Sequence, residues 1–472
     1  MLQAEHTAGL KMGSPSREEG MDKKLNVILI NCDDLGYGDL GSYGSRINKT
    51  PVLDRMAAEG IRFSSFYMAS AVCSPSRGAM LTGCYPRRIG FGSFDGSWVL
   101  FPGQGVGLNP DEITVARALK DAGYQTMLIG KWHCGDQPEF LPLNHGFDHY
   151  YGLPYSNDMG RQFRSCMNNP PLPLICDRDI IQEQPDQASL TERYTEQAVR
   201  FIRKNRDNPF FLYFAHMHVH LPLYAPDRFI RQSGNGAYGA TVECVDWSTG
   251  ALLDELKRQG IERDTLVIFT SDNGSRGDHG GSNAPLRGEK GTTWEGGHRV
   301  PCIIYWPGKI KASVECGDIV ASIDFYPTII RLCGGKLPTD RIIDGLDLSG
   351  LILEGRKSPR NTFFYYALDD LEAVRCGKWK LHVLKDKDRM KELYDLDCDI
   401  GESTNLYDQN PDVVEMLERQ LDQCRLDLGD RASGIEGGNI RHKGRVENPR
   451  TLTQYNPDHP YIIAMYDKED CG

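Results

Sequence analysis

An α/β fold, built on a mostly parallel sheet with helices on both faces, follows from three observations. Apolar runs of strand length occur at Leu25–Ile30, Gln125–Ile129, Pro209–Ala215 and Thr265–Thr270, as expected of strands buried on both faces. Segments of helical periodicity alternate with them, the pattern of parallel pairing. Each run leads straight into polar residues, and in open α/β sheets ligands bind beyond the carboxyl ends of the strands. At 472 residues the chain exceeds one simple core, so one large and one smaller domain are expected.

Charge and composition narrow the function. Lys and Arg total 54 and Asp and Glu 65, a formal charge of −11, which argues against nonspecific nucleic-acid binding. An anionic substrate then needs a local basic pocket. No apolar run reaches the length of a membrane span. Residues 1–20 are polar and lack the apolar core of a secretory signal; they read as a disordered extension or an expression remnant, with Met21 an alternative start. The 14 cysteines are scattered and form no Cys-x-x-Cys pair, so zinc-ribbon and thioredoxin-type sites are not expected. Reduced thiols in a cytoplasm are the simpler expectation; a removed export signal would reverse it.

In chain order, the first strand ends in the glycine-rich loop Asn31–Gly38, and Thr50-Pro51 opens a helix running through Met56 and Glu59. Ile61–Tyr67 reads as a strand feeding Ala71–Gly83. Glu112–Ala122 reads as a helix stopped by Gly123, followed by the Gln125 strand and Gly130-Lys131-Trp132-His133. Leu190–Lys204 has helical periodicity. The Pro209 strand ends in His216-Met-His-Val-His220-Leu-Pro222. Ala240–Gln259 is a long amphipathic helix, and the Thr265 strand leads to Ser271-Asp272-Asn273-Gly274. The charged stretch Glu354–Arg360 marks a boundary. Beyond it, Thr362–Tyr366, Glu372–Arg375, Trp379–Leu384 and Glu392–Leu396 read as short strands, and Pro411–Leu428 as one helix, together a small antiparallel sheet with a packed helix. The expected division is an extension over 1–20, a catalytic domain over 21–355 and a C-terminal α+β subdomain with a tail over 356–472. The tail from Gly429 is polar and poorly patterned, with Tyr461–Tyr466 able to dock on the body. Gly92–Gly107 and Asp158–Gln187 read as irregular pocket walls.

Within this frame Cys73-Ser-Pro-Ser-Arg77 stands out. Pro75 suits a first helical turn, which sets Cys73 at a helix N-terminus that favours negative charge. Arg77 lies one turn on, over the same face. Alone, the five residues read equally well as a buried free cysteine near a surface arginine. Asp33, Asp34, Asp272 and Asn273 offer only hard oxygen ligands, suited to Ca²⁺ or Mg²⁺ rather than zinc; Asp-Asp alone reads as an acidic turn. His216, His218 and His220 fall on one side of an extended segment. A zinc site there is disfavoured, since no cysteine or glutamate completes it nearby. Taken alone, Lys131 and Lys290 read as solvated charges, His133 as a loop histidine and Ser156 as part of a simple turn.

The whole run Ala71–Gly83 resembles the signature of the type I, formylglycine-dependent sulfatases. Gly123–His133 resembles their second signature, and Gly288–Gly297 another of their loops. The resemblance spans Leu25 to Leu428, including Glu392–Leu396 and Gly401-Glu-Ser-Thr-Asn405. It is nearest to the arylsulfatase A and N-acetylgalactosamine-6-sulfatase branches, the latter through Gly280–Pro285. It implies an alkaline-phosphatase-like fold and sulfate-ester hydrolysis. Cys73 is then oxidised to Cα-formylglycine, whose hydrate is the nucleophile. Asp33, Asp34, Asp272, Asn273 and residue 73 bind one divalent cation, usually calcium. Arg77, Lys131 and Lys290 face sulfate, His133 serves the covalent step, His220, two residues before Pro222, or Lys290 protonates the leaving group, and Ser156 lines the pocket. Asp272 accepts the hydrate's proton. A sulfated small molecule or glycan is the implied substrate, a formylglycine-generating enzyme the implied maturation partner, and a homo-oligomer stays open. Two rival readings remain: a phosphatase or phosphonate hydrolase of the same superfold, and a sulfated-glycan binder with Cys73 unconverted.

Overall fold

The computed structural model describes residues 24–161, 169–385, 387–461 and 468. The extension expected over residues 1–20, and all of the docking segment Tyr461–Tyr466 but its first residue, lie outside the described residues.

A ten-stranded sheet forms the body. Its spatial order is Val314–Cys316, Ile61–Phe63, Cys302–Tyr305, Thr265–Ser271, Asn26–Cys32, Phe210–Ala215, Gln125–Gly130, His149–Gly152, Pro173–Cys176, Asp179–Glu183. The centre is parallel: Asn26–Cys32 lies between Thr265–Ser271 and Phe210–Ala215, and Gln125–Gly130 and His149–Gly152 continue in the same direction. Antiparallel pairs occur on both flanks, around Cys302–Tyr305 and in the hairpin Pro173–Cys176/Asp179–Glu183. Both faces are covered, which is why the central strands read as unbroken apolar runs. Val27 and Leu29 pack with Met80, Leu81, Phe325 and Ile329 on one side. Ile28 and Ile30 pack with Leu53, Met56, Leu190 and Leu252 on the other, as strand alternation requires.

Three expectations need correction. Ile61–Tyr67 is two strands, because the Ser64 carbonyl is taken by the Tyr37 hydroxyl and the Arg299 guanidinium. Ile61–Phe63 joins the large sheet, and Phe66–Tyr67 pairs with Val320–Ala321 in a separate ribbon. The helix expected from Glu112 starts at Val115, where Thr114 Oγ1 accepts the Arg117 N–H as a cap. The stretch Asp158–Gln187, expected to be irregular, carries the hairpin at the sheet's edge.

The C-terminal sheet pairs Thr362–Ala367, Asp370–Cys376, Trp379–Lys385 and Asp388–Asp395 in antiparallel order, with Pro411–Leu428 as its helix. It is fused to the body through a common apolar core: Tyr67, Ala69, Ala79 and Tyr85 pack with Phe363, Tyr365, Leu381, Leu417 and Leu421. The tail beyond Gly429 is held by polar contacts, so apolar patterning does not reveal it. Arg441 grips Glu112 at 2.6 and 3.0 Å. Gly444–Arg445 pairs with Val106–Gly107, and Lys443 Nζ donates to the Ser93 carbonyl at 2.6 Å. No helix among the described residues is long and apolar enough to cross a membrane.

Gly130 ends a central strand at φ +103°, and a Cβ there would overlap the Ala215 carbonyl oxygen of the neighbouring strand. Gly130→Ala is therefore expected to lower stability by well over about 1 kcal/mol; a melting temperature unchanged from the parent would contradict this packing.

Candidate active site

The carboxyl ends of the central strands are tied together by backbone bonds that continue past the sheet. The Asp272 N–H donates to Cys32 O, His216 N–H to Asn31 O, Lys131 N–H to Ala215 O, and Asp33 N–H to His218 O. These bonds bring the polar residue after each strand to one place. Asp34 and His133 both adopt the left-handed region, φ 62° and 57°, an uncommon conformation for residues with a Cβ and one that clusters at functional sites.

Three buried carboxylates meet two buried cations, Arg77 and Lys131, and the partly exposed Lys290 there. Asp33 Oδ2 accepts from Lys131 Nζ at 2.5 Å and lies 3.7 Å from Arg77 Nη2. Asp34 Oδ2 accepts from Lys290 Nζ at 2.9 Å, and its Oδ1 accepts from Asn273 Nδ2 at 2.7 Å. Asp272 Oδ2 accepts from Arg77 Nε at 2.9 Å, with Nη2 at 2.7 Å, and its Oδ1 accepts the Asp34 N–H at 3.2 Å. Arg77 also donates to the Lys131 carbonyl at 2.8 Å. Its guanidinium is thus engaged by Asp272 and Asp33.

Cys73 is the first residue of the fully buried helix Cys73–Thr82, with Val72 in extended conformation before it and left-handed Gly83 closing it. Ser76 Oγ donates to Asp272 O at 2.5 Å and Ser74 Oγ accepts the Leu100 N–H at 3.1 Å, fixing the helix end on the strand ends. Cys73 Sγ and carboxylate oxygens of Asp33 and Asp272 all lie within 4.8 Å of one another, as do ligand atoms of Asp33, Asp34 and His220. Burial pushes the Cys73 thiol up to about 11, with Lys131 and Lys290 pulling the other way.

The histidines divide by role. His216–His220 is not extended as expected but turns at His218–His220, so the three rings point apart. His216 packs on the Phe214 ring at 4.4 Å, and His218 Nδ1 lies 2.9 Å from Thr191 Oγ1. His220 alone reaches the site, with Nε2 3.3 Å from Ser156 Oγ and 3.9 Å from Asp34 Oδ2. Its Nδ1 lies 2.5 Å from the Leu221 carbonyl and therefore carries the hydrogen. Ser156 Oγ in turn accepts from Lys131 Nζ at 3.0 Å. Burial and nearby Lys131 hold His133 well below the usual histidine range. Its Nε2 lies 2.9 Å from Leu100 O, so Nε2 bears the hydrogen and Nδ1 keeps a free lone pair.

The donor set fits a hard cation. Asp33 Oδ1 and Asn273 Oδ1 are buried oxygens without a hydrogen-bond partner, which buried polar atoms rarely are. Burial, then Asp33, pushes the Asp272 carboxyl up to about 7, a repulsion that a cation between the carboxylates relieves. Sequence reasoning missed a second buried cluster behind the Gly288–Gly297 loop, formed by Glu295, Lys380, His382 and Glu402. Its signal was Glu402 in the Gly401–Asn405 motif, which had no chemistry attached.

Comparison with known proteins identifies the family. The family model described as Sulfatase matches residues 25–335, and one described as N-sulphoglucosamine sulphohydrolase, C-terminal, matches residues 289–427. The chain is 38% identical to arylsulfatase A of Bos taurus, covering 89% of this chain and 89% of the relative. It is 40% identical to N-acetylgalactosamine-6-sulfatase of Rattus norvegicus, covering 77% and 72%. Among solved structures, the PsFucS1 sulfatase of Pseudoalteromonas sp. superposes with a TM-score of 0.77 at 30% identity, covering 85% of this chain and 91% of that one. The architecture is the alkaline-phosphatase-like one expected from the sequence. The reach of the family model and the identity over most of the chain lead to one assignment: this chain belongs to the sulfatase family, enzymes that hydrolyse sulfuric esters.

Proposed function

We propose that the chain hydrolyses a sulfated carbohydrate or an aryl sulfate through an aldehyde hydrate at position 73 and one hard divalent cation, Ca²⁺ before Mg²⁺. The observation that carries this reading is the placement of residue 73, at a helix N-terminus and within 4.8 Å of the Asp33 and Asp272 carboxylates. A plain thiol there is held protonated and would be a poor nucleophile. The substrate classes are those in the names of the relatives, and a formylglycine-generating enzyme is the maturation partner that the reading requires.

Asp33, Asp34, Asp272 and Asn273 would hold the cation, which supplies positive charge where sulfate oxygens gather. The three carboxylates and three cationic side chains otherwise cancel, leaving little net attraction for an anion. Oxidised residue 73 supplies two hydroxyls on one carbon, one to attack sulfur and one to release it, the exit an ordinary serine or cysteine lacks. Asp272, with its carboxyl near neutrality, takes the attacking hydroxyl's proton. Lys131 and Lys290 bind sulfate oxygens, electrostatic stabilisation that is usually the largest catalytic contribution. Arg77 orients Asp272 and offsets its charge. His133 Nδ1, kept neutral and free, accepts the second hydroxyl's proton. The departing alcohol takes its proton from the Lys290 ammonium, or from His220 once Nε2 has itself gained a proton, the Nδ1 hydrogen staying on the Leu221 carbonyl, and Ser156 holds both Lys131 and His220 in place.

Three outcomes test the reading. Cys73→Ala is expected to lower kcat/KM for an aryl sulfate by at least about 10³-fold, roughly 4 kcal/mol of transition-state stabilisation. The Cys73 peptide of active protein should be about 18 Da light by mass spectrometry, from exchange of sulfur for oxygen with loss of hydrogen. Activity of the variant within about tenfold of the parent would refute the covalent route. Exhaustive chelation is expected to abolish turnover and to lower the melting temperature by several degrees. A cation at a hundred times its Kd contributes about 2.7 kcal/mol, and Ca²⁺ should restore both. Full activity after chelation would remove the cation from the mechanism.

A further inference from the structure

The second buried cluster takes no part in the chemistry above. Lys380 Nζ lies 3.0 Å from Glu295 Oε1 and 2.8 Å from Glu402 Oε1, and His382 Nε2 lies 3.1 Å from Glu402 Oε1; all four side chains are closed to solvent. The Tyr67 and Tyr365 hydroxyls donate to Glu295 at 2.6 and 2.8 Å. Charges buried this deeply are weak evidence for stability, since apolar residues of similar volume often serve as well. Their value has to lie in what they hold.

They hold the loop that carries Lys290. Glu295 belongs to that loop, whereas Lys380 and His382 lie on one strand of the C-terminal sheet and Glu402 on the segment that follows the sheet. The grip is on loop backbone as well as side chains. Lys380 Nζ donates to the Thr293 carbonyl at 2.9 Å, and the Glu295 N–H donates to Glu402 Oε2 at 2.8 Å. Thr293 Oγ1 donates to Glu372 Oε2 at 2.5 Å, and the Trp294 ring lies 4.3 Å from the His382 ring. Towards the site the loop has thinner support. The Lys290 N–H donates to Ser275 O and the Gly291 N–H to Ala71 O, two residues before Cys73. Gly288 and Gly291 are both left-handed, φ 79° and 82°, and the tip between them is a tight turn closed by Thr292 on Glu289, so its orientation is set by what holds its base.

We infer that Lys380 and Glu402 are positioning residues for Lys290: the C-terminal sheet clamps the base of the loop so that the ammonium at its tip stands over Asp34 and the sulfate position. This rests on the proposed role of Lys290 and extends it. It also gives the Gly401–Asn405 motif a task, with Glu402 as the acceptor that fixes the loop backbone.

A double-mutant cycle on an aryl sulfate tests the inference. Lys290→Ala is expected to lower kcat/KM by about 10²-fold or more. Lys380→Met should lower kcat by about tenfold with KM changed less. In the Lys290→Ala background the same Lys380→Met change should cost less than about twofold, because the group it positions is gone. If Lys380→Met does not fold, Thr293→Val, which removes only the hydroxyl bond to Glu372, should give the same non-additive pattern at about threefold amplitude. A strong Lys290→Ala loss with fully multiplicative losses in the double variant, or no kcat loss in either clamp variant, would overturn the inference alone. Undiminished turnover of Lys290→Ala would remove the catalytic reading of Lys290 and the inference with it.

Discussion

The constraint on which the site depends is charge balance away from water. Asp33, Asp34 and Asp272 are buried at the sheet edge, where an uncompensated carboxylate would cost several kcal/mol. Each has a dedicated cation, Lys131, Lys290 and Arg77 in turn. The pairing is unequal. Burial works against the Asp33 charge, yet Lys131, His220 and Arg77 hold it well below the usual carboxylate range. Burial, and after it the repulsion of Asp33, raises Asp272. The two carboxyls are thereby pushed in opposite directions, the asymmetry that the proposed roles of the site draw on. The backbone follows the same demand, since Asp34 leaves ordinary φ/ψ space to reach Lys290 and Asn273 together.

That balance is assembled from remote parts of the chain, and the body does not supply all of it. Lys290 stands on a loop whose base is held from the C-terminal sheet, so the catalytic edge and the small sheet form one mechanical unit. Their common apolar core, from Tyr67 and Tyr85 to Leu417 and Leu421, makes the same point in packing. Nothing separates them like a linker between independent domains.

The parts of this protein that could be read from sequence are those where one local rule decides. Central strands buried on both faces leave continuous apolar runs, and strand ends followed by Asp33, Lys131, His220 and Asp272 point to a common edge. The flanking strands Cys302–Tyr305 and Val314–Cys316 are four and three residues long, too short for any period to show. Alternation misplaced the histidine triplet, because it needs extended backbone and the chain turns at His218, whereas the position of His220 two residues before Pro222 did single out the ring that reaches the site. Trp379–Lys385 alternates Lys380 and His382 with Leu381 and Val383, which reads as a strand with one wet face. In the fold the polar face is turned inward, against Glu295 and Glu402. A buried ion cluster between distant segments leaves little signature within any one of them, here only Glu402 in the Gly401–Asn405 motif.

The strap formed by the tail carries a further consequence. Leu100, which orients His133, lies in the wall Gly92–Gly107. That wall is held from outside by residues 441–446, more than three hundred positions later in the chain. During synthesis the wall leaves the ribosome long before its fastener does. Until those residues have emerged the wall lacks these contacts, so the pocket is completed late relative to the strands that form its floor.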